Sequence, residues 1–206
     1  MRSRLVLALV AGAACAAPAF AQGEHERRLA AELTIVAGDV RRLEAAGESP
    51  LRIEGLRARI AGALSSLPLL LRQAGADPAP VPALRTALAR QDWRALRARL
   101  EELRARHPFD ATPWAFAAPT PERLRAGAAI HRQTCAGCHD APPGDAKLPA
   151  LELRAMARAM PREEFAARLL VGVRGDRSTA YRNPFSDLEL SALVAWYTSG
   201  GTAASK

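Results

Sequence analysis

Between Glu24 and Arg106 the apolar residues return every three or four positions, and nothing else in the chain restricts its fold as strongly. Leu29, Leu33, Val36, Val40 and Leu43 make one stripe; Ile53, Leu56, Ile60, Leu64, Leu67 and Leu71 make a second. That period lines one face of an α-helix, whereas a strand would alternate every two residues. Between the stripes lies Gly47-Glu48-Ser49-Pro50, where Ser49 is placed to cap a helix and Pro50 to open it. Pro68 falls inside the second stripe and is expected to kink or end that helix. The run from Gly75 to Pro82 breaks the pattern. A short helix carrying Leu84 and Leu88 follows, and Asp92 then caps a last one with Trp93, Leu96, Leu100 and Leu103.

Composition agrees. Of the 206 residues 49% are hydrophobic but only 5% aromatic, so the core is built from Leu, Ala and Val, which favours helices. The expected fold class is all-α, with an N-terminal bundle of about four helices over residues 22–107. No His, Cys or carboxylate cluster lies on the apolar stripes, so the bundle reads as a structural or docking module. His25 and His107, at its two ends, read as surface residues. Pro108, Pro113 and Pro119 then mark a Pro-rich linker over 108–119, with Pro121 just beyond. Trp114 and Phe116 inside it are expected to pack against something.

The first 21 residues read as a cleaved signal peptide: Arg2 and Arg4, an apolar run from Leu5, then Ala19-Phe20-Ala21. Its removal would take two arginines from a formal charge of +8 and leave no membrane span. The remaining arginines are interleaved with Glu along the helical stretches, as on a solvated face. With export, this argues against nucleic acid as a partner and for a periplasmic location. Exposed helical stripes would allow a homodimer. Of the three cysteines Cys15 would leave with the signal, so Cys135 and Cys138 have no disulfide framework to build.

Those two thiols stand in Cys135-Ala136-Gly137-Cys138-His139. A Cys-x-x-Cys-His places two thiols to add across the vinyl groups of one haem, with the adjacent His ligating the iron. A thioredoxin-type pair would follow a strand, and a zinc site would need two further ligands where only His131 is at hand. Thr120 and Pro121 open the helix before the motif, and Asp187 to Thr198 make a terminal helix. On these features residues 120–200, with a flexible tail at 201–206, resemble the class I c-type cytochrome domain, a monohaem cytochrome c. The resemblance implies one covalent haem c on Cys135 and Cys138 and His139 as proximal iron ligand. It also implies a close approach of Gly127 to Trp196 or Tyr197, and a proline turn at Leu148-Pro149-Ala150-Leu151 whose backbone oxygen receives the His139 N–H.

One departure concerns the sixth iron ligand. The family carries a Met just before a Pro and the terminal helix, and this chain has Tyr181-Arg182-Asn183-Pro184-Phe185 there. Met160 is the first candidate in its place, with Met156 as an alternative. Otherwise both are core residues and the iron is five-coordinate or weakly capped by Asn183 or Tyr181, or else His25, His107 or His131 reaches across. Arg174, Arg177 and Arg182 are candidates for pairing with haem propionates. The leading expectation is a periplasmic electron carrier, not an enzyme, serving a periplasmic or membrane-bound redox protein. The alternative is a haem-based binder or sensor of small ligands with an open sixth position. A peroxidase-like enzyme lacks an identifiable distal His–Arg pair. The bundle is loosely similar to periplasmic portions of bacterial iron-permease-like proteins, on its helical pattern and the Arg106-His107-Pro108-Phe109-Asp110 junction.

Overall fold

The computed structural model describes residues 22–45, 47–142, 144–172 and 185–199. Residues 1–21, read as a signal peptide, and Arg174, Arg177, Tyr181, Arg182, Asn183 and the tail at 201–206 lie outside the described residues. All regular structure among the described residues is helical.

The first four helices are α1 (Glu24–Glu44), α2 (Pro50–Gln73), α3 (Val81–Ala89) and α4 (Trp93–Arg106). Their starts are set as their residues dictate. Ser49 accepts a hydrogen bond from the Arg52 N–H, with Pro50 in the first turn. The Asp92 carboxylate accepts from the Ala95 N–H at 2.9 Å. The stripes close on one another: Leu29, Leu33, Val36 and Val40 meet Ile60, Leu64, Leu67, Leu71, Leu84, Leu96, Leu100 and Leu103 in one buried cluster. Each such side chain removed from water contributes roughly 1.5–3 kcal/mol against the entropy of ordering the chain.

Pro68 does not end α2, which runs on to Gln73. Lacking an N–H, Pro68 cannot serve the carbonyl of Leu64, four residues back. The Arg85 guanidinium takes that place, donating Nε and Nη2 to the Leu64 oxygen at 3.1 and 3.0 Å. The helix stops instead at Gly75, whose φ of 69° lets Ala76 and Gly75 return hydrogen bonds to the Leu71 and Arg72 carbonyls.

Helix α1 carries two buried faces where one stripe was expected. Besides its leucines and valines it buries Ala30, Ala31, Thr34, Ile35, Ala37, Gly38 and Asp39. The first face meets α2 and α4. The second meets α9 (Arg162–Val171), with Ala31 and Ile35 against Ala167. Ion pairs flank this apolar strip. Asp39, fully buried, receives the Arg168 guanidinium at 2.6 Å and is forked by Arg59. Glu164 takes Arg168 at 2.7 and 3.0 Å and Arg41 at 2.5 Å. Burial works against the charge on Arg168, but Asp39 and Glu164 outweigh it and hold its pKa above the usual guanidinium value. A Cβ on Gly38 would fall within the space of the Glu164 carboxylate, so the glycine makes room for the pair.

The Pro-rich stretch is packed. It contains a single turn, α5 (Thr112–Ala115), and buries Ala111, Trp114 and Ala115 in the C-terminal core. Trp114 stacks on Phe109 at 5.8 Å and donates its indole N–H to Asp187. Phe116 does not share this role; 57% of its surface is exposed.

Candidate functional site

The C-terminal half is framed by α6 (Pro121–Ile130) and α10 (Asp187–Thr198). Thr120 caps α6 through the Arg123 N–H, and Ser186 with Glu189 forms a reciprocal capping box on α10. The helices cross at Gly127, where a Cβ would stand 2.7 Å from that of Trp196 and closer still to the Ala192 carbonyl oxygen. Only hydrogen fits there. The close approach implied for Gly127 and Trp196 is thus present.

Beyond Ile130 the backbone widens into a π-turn, His131–Cys135, and tightens again into one turn of helix, α7 (Ala136–His139). Such widened turns are frequent at functional sites. Cys135 is half-buried and Cys138 exposed, and both thiols are free of disulfides. The Thr134 hydroxyl lies 3.3 Å from the Cys135 sulfur. His139 donates Nδ1–H to the Leu151 carbonyl at 2.6 Å, the oxygen at the end of the proline turn. That bond fixes the tautomer and leaves Nε2 as the free base.

His131 is occupied at both nitrogens. Nδ1 lies 2.8 Å from the Tyr197 hydroxyl and Nε2 lies 2.8 Å from the Asp140 carboxylate. It therefore has no nitrogen left for iron. Burial, and next the neighbouring Cys135 sulfur, push the Tyr197 pKa far above the ordinary phenol value, so its hydroxyl keeps its proton. His25 is exposed and His107 half-buried. Met156 and Met160 are half-buried and pack, like Cys135, on the C-terminal core with Phe165, Leu169 and Tyr197. Met160 closes α8 (Leu153–Ala159), just before Pro161 and α9.

These residues fit a covalently held haem. Two unpaired thiols lie on one turn, the adjacent imidazole is already oriented, and the buried indole N–H of Trp196 has no partner. A zinc site is not supported, because among the described residues no three His, Cys, Asp or Glu converge. Reading the sequence missed Asp140 and the paired charges of Asp39, Glu164 and Arg168. Three residues after Val36, Asp39 flanks the α1 stripe, and the apolar period gives no sign that it is buried.

First and last helices crossing at a glycine beside a Cys-x-x-Cys-His turn are consistent with a C-terminal cytochrome c domain, which suggests a haem c electron carrier. Residues 122–196 match the family model of cytochrome c oxidase, cbb3-type, subunit III, which covers α6 to α10 and leaves the N-terminal bundle outside. No curated protein and no solved structure gives a significant match to the chain.

Proposed function

We propose that the protein is a periplasmic monohaem c-type cytochrome that carries electrons between redox partners. The observation that carries this reading is the His139 Nδ1–Leu151 hydrogen bond within Cys135-Ala-Gly-Cys138-His139. Bound haem supplies a one-electron iron couple, and the protein's part is ligation, burial and docking. Cys135 and Cys138 hold the group through thioethers. His139 presents Nε2 as proximal ligand, made more basic by the bond at Nδ1. Met160 is the proposed sixth ligand, with Met156 second, since both lie on the apolar cluster that includes Cys135. A methionine there raises the potential, as suits electron transfer.

Cytochrome c domains are typically extracytoplasmic, and no helix among the described residues is long and apolar enough to cross a membrane. With the signal-like N-terminus this supports the periplasm, where a soluble or membrane-bound redox protein would be the partner and the bundle its docking module. The test is an absorption spectrum of the mature holoprotein, oxidised and reduced, with and without carbon monoxide, beside a haem-to-protein ratio. One haem per chain, low-spin bands, a Met–iron charge-transfer feature and no carbon monoxide response are expected. A high-spin reduced form that takes up carbon monoxide at once would overturn Met ligation and put ligand sensing first.

A further inference from the structure

We propose that His131 and Asp140 form a clamp that positions the attachment turn, and through it His139, for the haem. The inference rests on the reading that Cys135, Cys138 and His139 hold that group. His131 is only 5% exposed, with its ring 4.5 Å from Trp196 and edge-on to Tyr197. An apolar ring would fill this place between two aromatics as well. A polar ring adds a desolvation cost unless both nitrogens find partners. Both do, and the second partner is the residue that directly follows His139.

The clamp brackets residues 132–139, the whole of the attachment segment. Helix α7 is four residues long and buries none of them, and a helix so short has no stability of its own. The segment's hydrogen bonds include the Ala136 N–H to the His131 carbonyl, the Thr134 hydroxyl to the Ile130 carbonyl, the Asp140 N–H to the Ala136 carbonyl, the His139 bond to Leu151, and the His131–Asp140 bond. Of these, only the last joins the far end of the turn, beyond His139, to the α6–α10 platform.

The direction of each bond follows from the partners. A carboxylate accepts only, so Nε2 of His131 carries a proton toward Asp140. In the neutral ring Nδ1 then accepts from the Tyr197 hydroxyl, which remains protonated. The series Tyr197–His131–Asp140 thus runs from the terminal helix to the neighbour of the iron ligand. Partners at one remove from a ligand are worth about 10–100-fold in affinity or activity when removed.

The test uses the full chain, exported in cells that attach haem, with two readouts: the fraction of chains carrying covalent haem and the midpoint potential of the purified holoprotein. H131F keeps an aromatic ring and loses both bonds; D140A loses the acceptor; D140N keeps an oxygen facing Nε2. H131F and D140A are expected to load about tenfold less haem and to share one direction of potential shift. The double variant should be no worse than either single, and D140N should load as the parent does. The clamp is overturned if H131F and D140A load normally at an unchanged potential. It is equally overturned if their losses multiply, or if D140N fails like D140A with helix content intact. Should H131F not fold, the D140A and D140N pair decides alone, since Asp140 is half exposed. A parent chain that carries no haem would sink the functional reading instead, before the variants are compared.

Discussion

The two cores of this molecule are built from different materials. The fully buried bundle core is aliphatic, with leucines from four helices and only the half-buried Trp93 ring packed against it. The C-terminal core buries Trp114, Phe165, Trp196 and Tyr197, and sets Tyr197 edge-on to Phe165 and tilted across Trp196 at 5.5 and 4.9 Å. Leucines fill volume and tolerate rearrangement, whereas rings with polar tips fix directions. The half that must hold a turn for a cofactor carries the directional core. Between the halves α1 and α9 meet through an apolar strip of small residues and five interlocked charges.

That junction offers the largest expected effect. R168M would leave Asp39 and Glu164 buried beside each other with their shared cation gone. Removing one partner of a buried pair costs about 3–5 kcal/mol, discounted toward the lower figure because Arg41 and Arg59 remain. A urea unfolding midpoint lower by that amount is expected. An unchanged midpoint would mean that the two halves are held by the apolar strip alone.

Next comes a test of whether the cores differ in kind. L100A in the bundle should lose about 2–5 kcal/mol to transfer and cavity terms, while leaving the haem potential at its parent value. G127A should cost about 1–3 kcal/mol, because its Cβ would meet backbone at Ala192 and no flexible side chain can yield. Unlike L100A, it should move the potential, since α6 leads directly into the π-turn at His131. If L100A shifts the potential as much as G127A does, the division of labour between the cores is wrong.

The bundle was legible because its signal is additive: each leucine repeats the same period, and the stripes of α1 and α2 bury as read except at Leu43 and Ile53, which are half-buried. The Cys-x-x-Cys-His motif stood out for the opposite reason, being five residues whose order has few other uses. What escaped lies between these cases. Apart from Ile35, the second face of α1 is made of residues such as Ala30, Ala31, Thr34, Gly38 and Asp39, too small or too polar to register as an apolar stripe. Asp39 could not be read as buried until Arg168, more than a hundred residues away, was placed against it. Pro68 does not end its helix, because its missing N–H is harmless once Arg85 serves the carbonyl it leaves. Asp140 carried no signal in the sequence: about half of its side chain is exposed, and its importance rests on one contact with His131.

The smallest expected effect sharpens the contrast between paired and unpaired charge at the junction. Glu32 lies two helical turns before Asp39 on α1. Burial raises its pKa, the Asp39 charge adds to the rise, and Arg28, Arg59 and Arg168 only partly offset it. The folded chain therefore binds a proton at Glu32 more tightly than the unfolded chain does. Stability from this group is fully present below the ordinary glutamate pKa and declines as pH rises toward the raised value. Above that value the loss is complete and constant. E32Q cannot ionise, so its stability relative to the parent should climb over the same window and then level off. Urea midpoints of both chains at a series of pH values measure this. Parallel curves would show that Glu32 is as well solvated as any surface carboxylate. A curve of opposite slope would mean that the arginines outweigh burial, which would bring Glu32 into the junction's ion network as a further member.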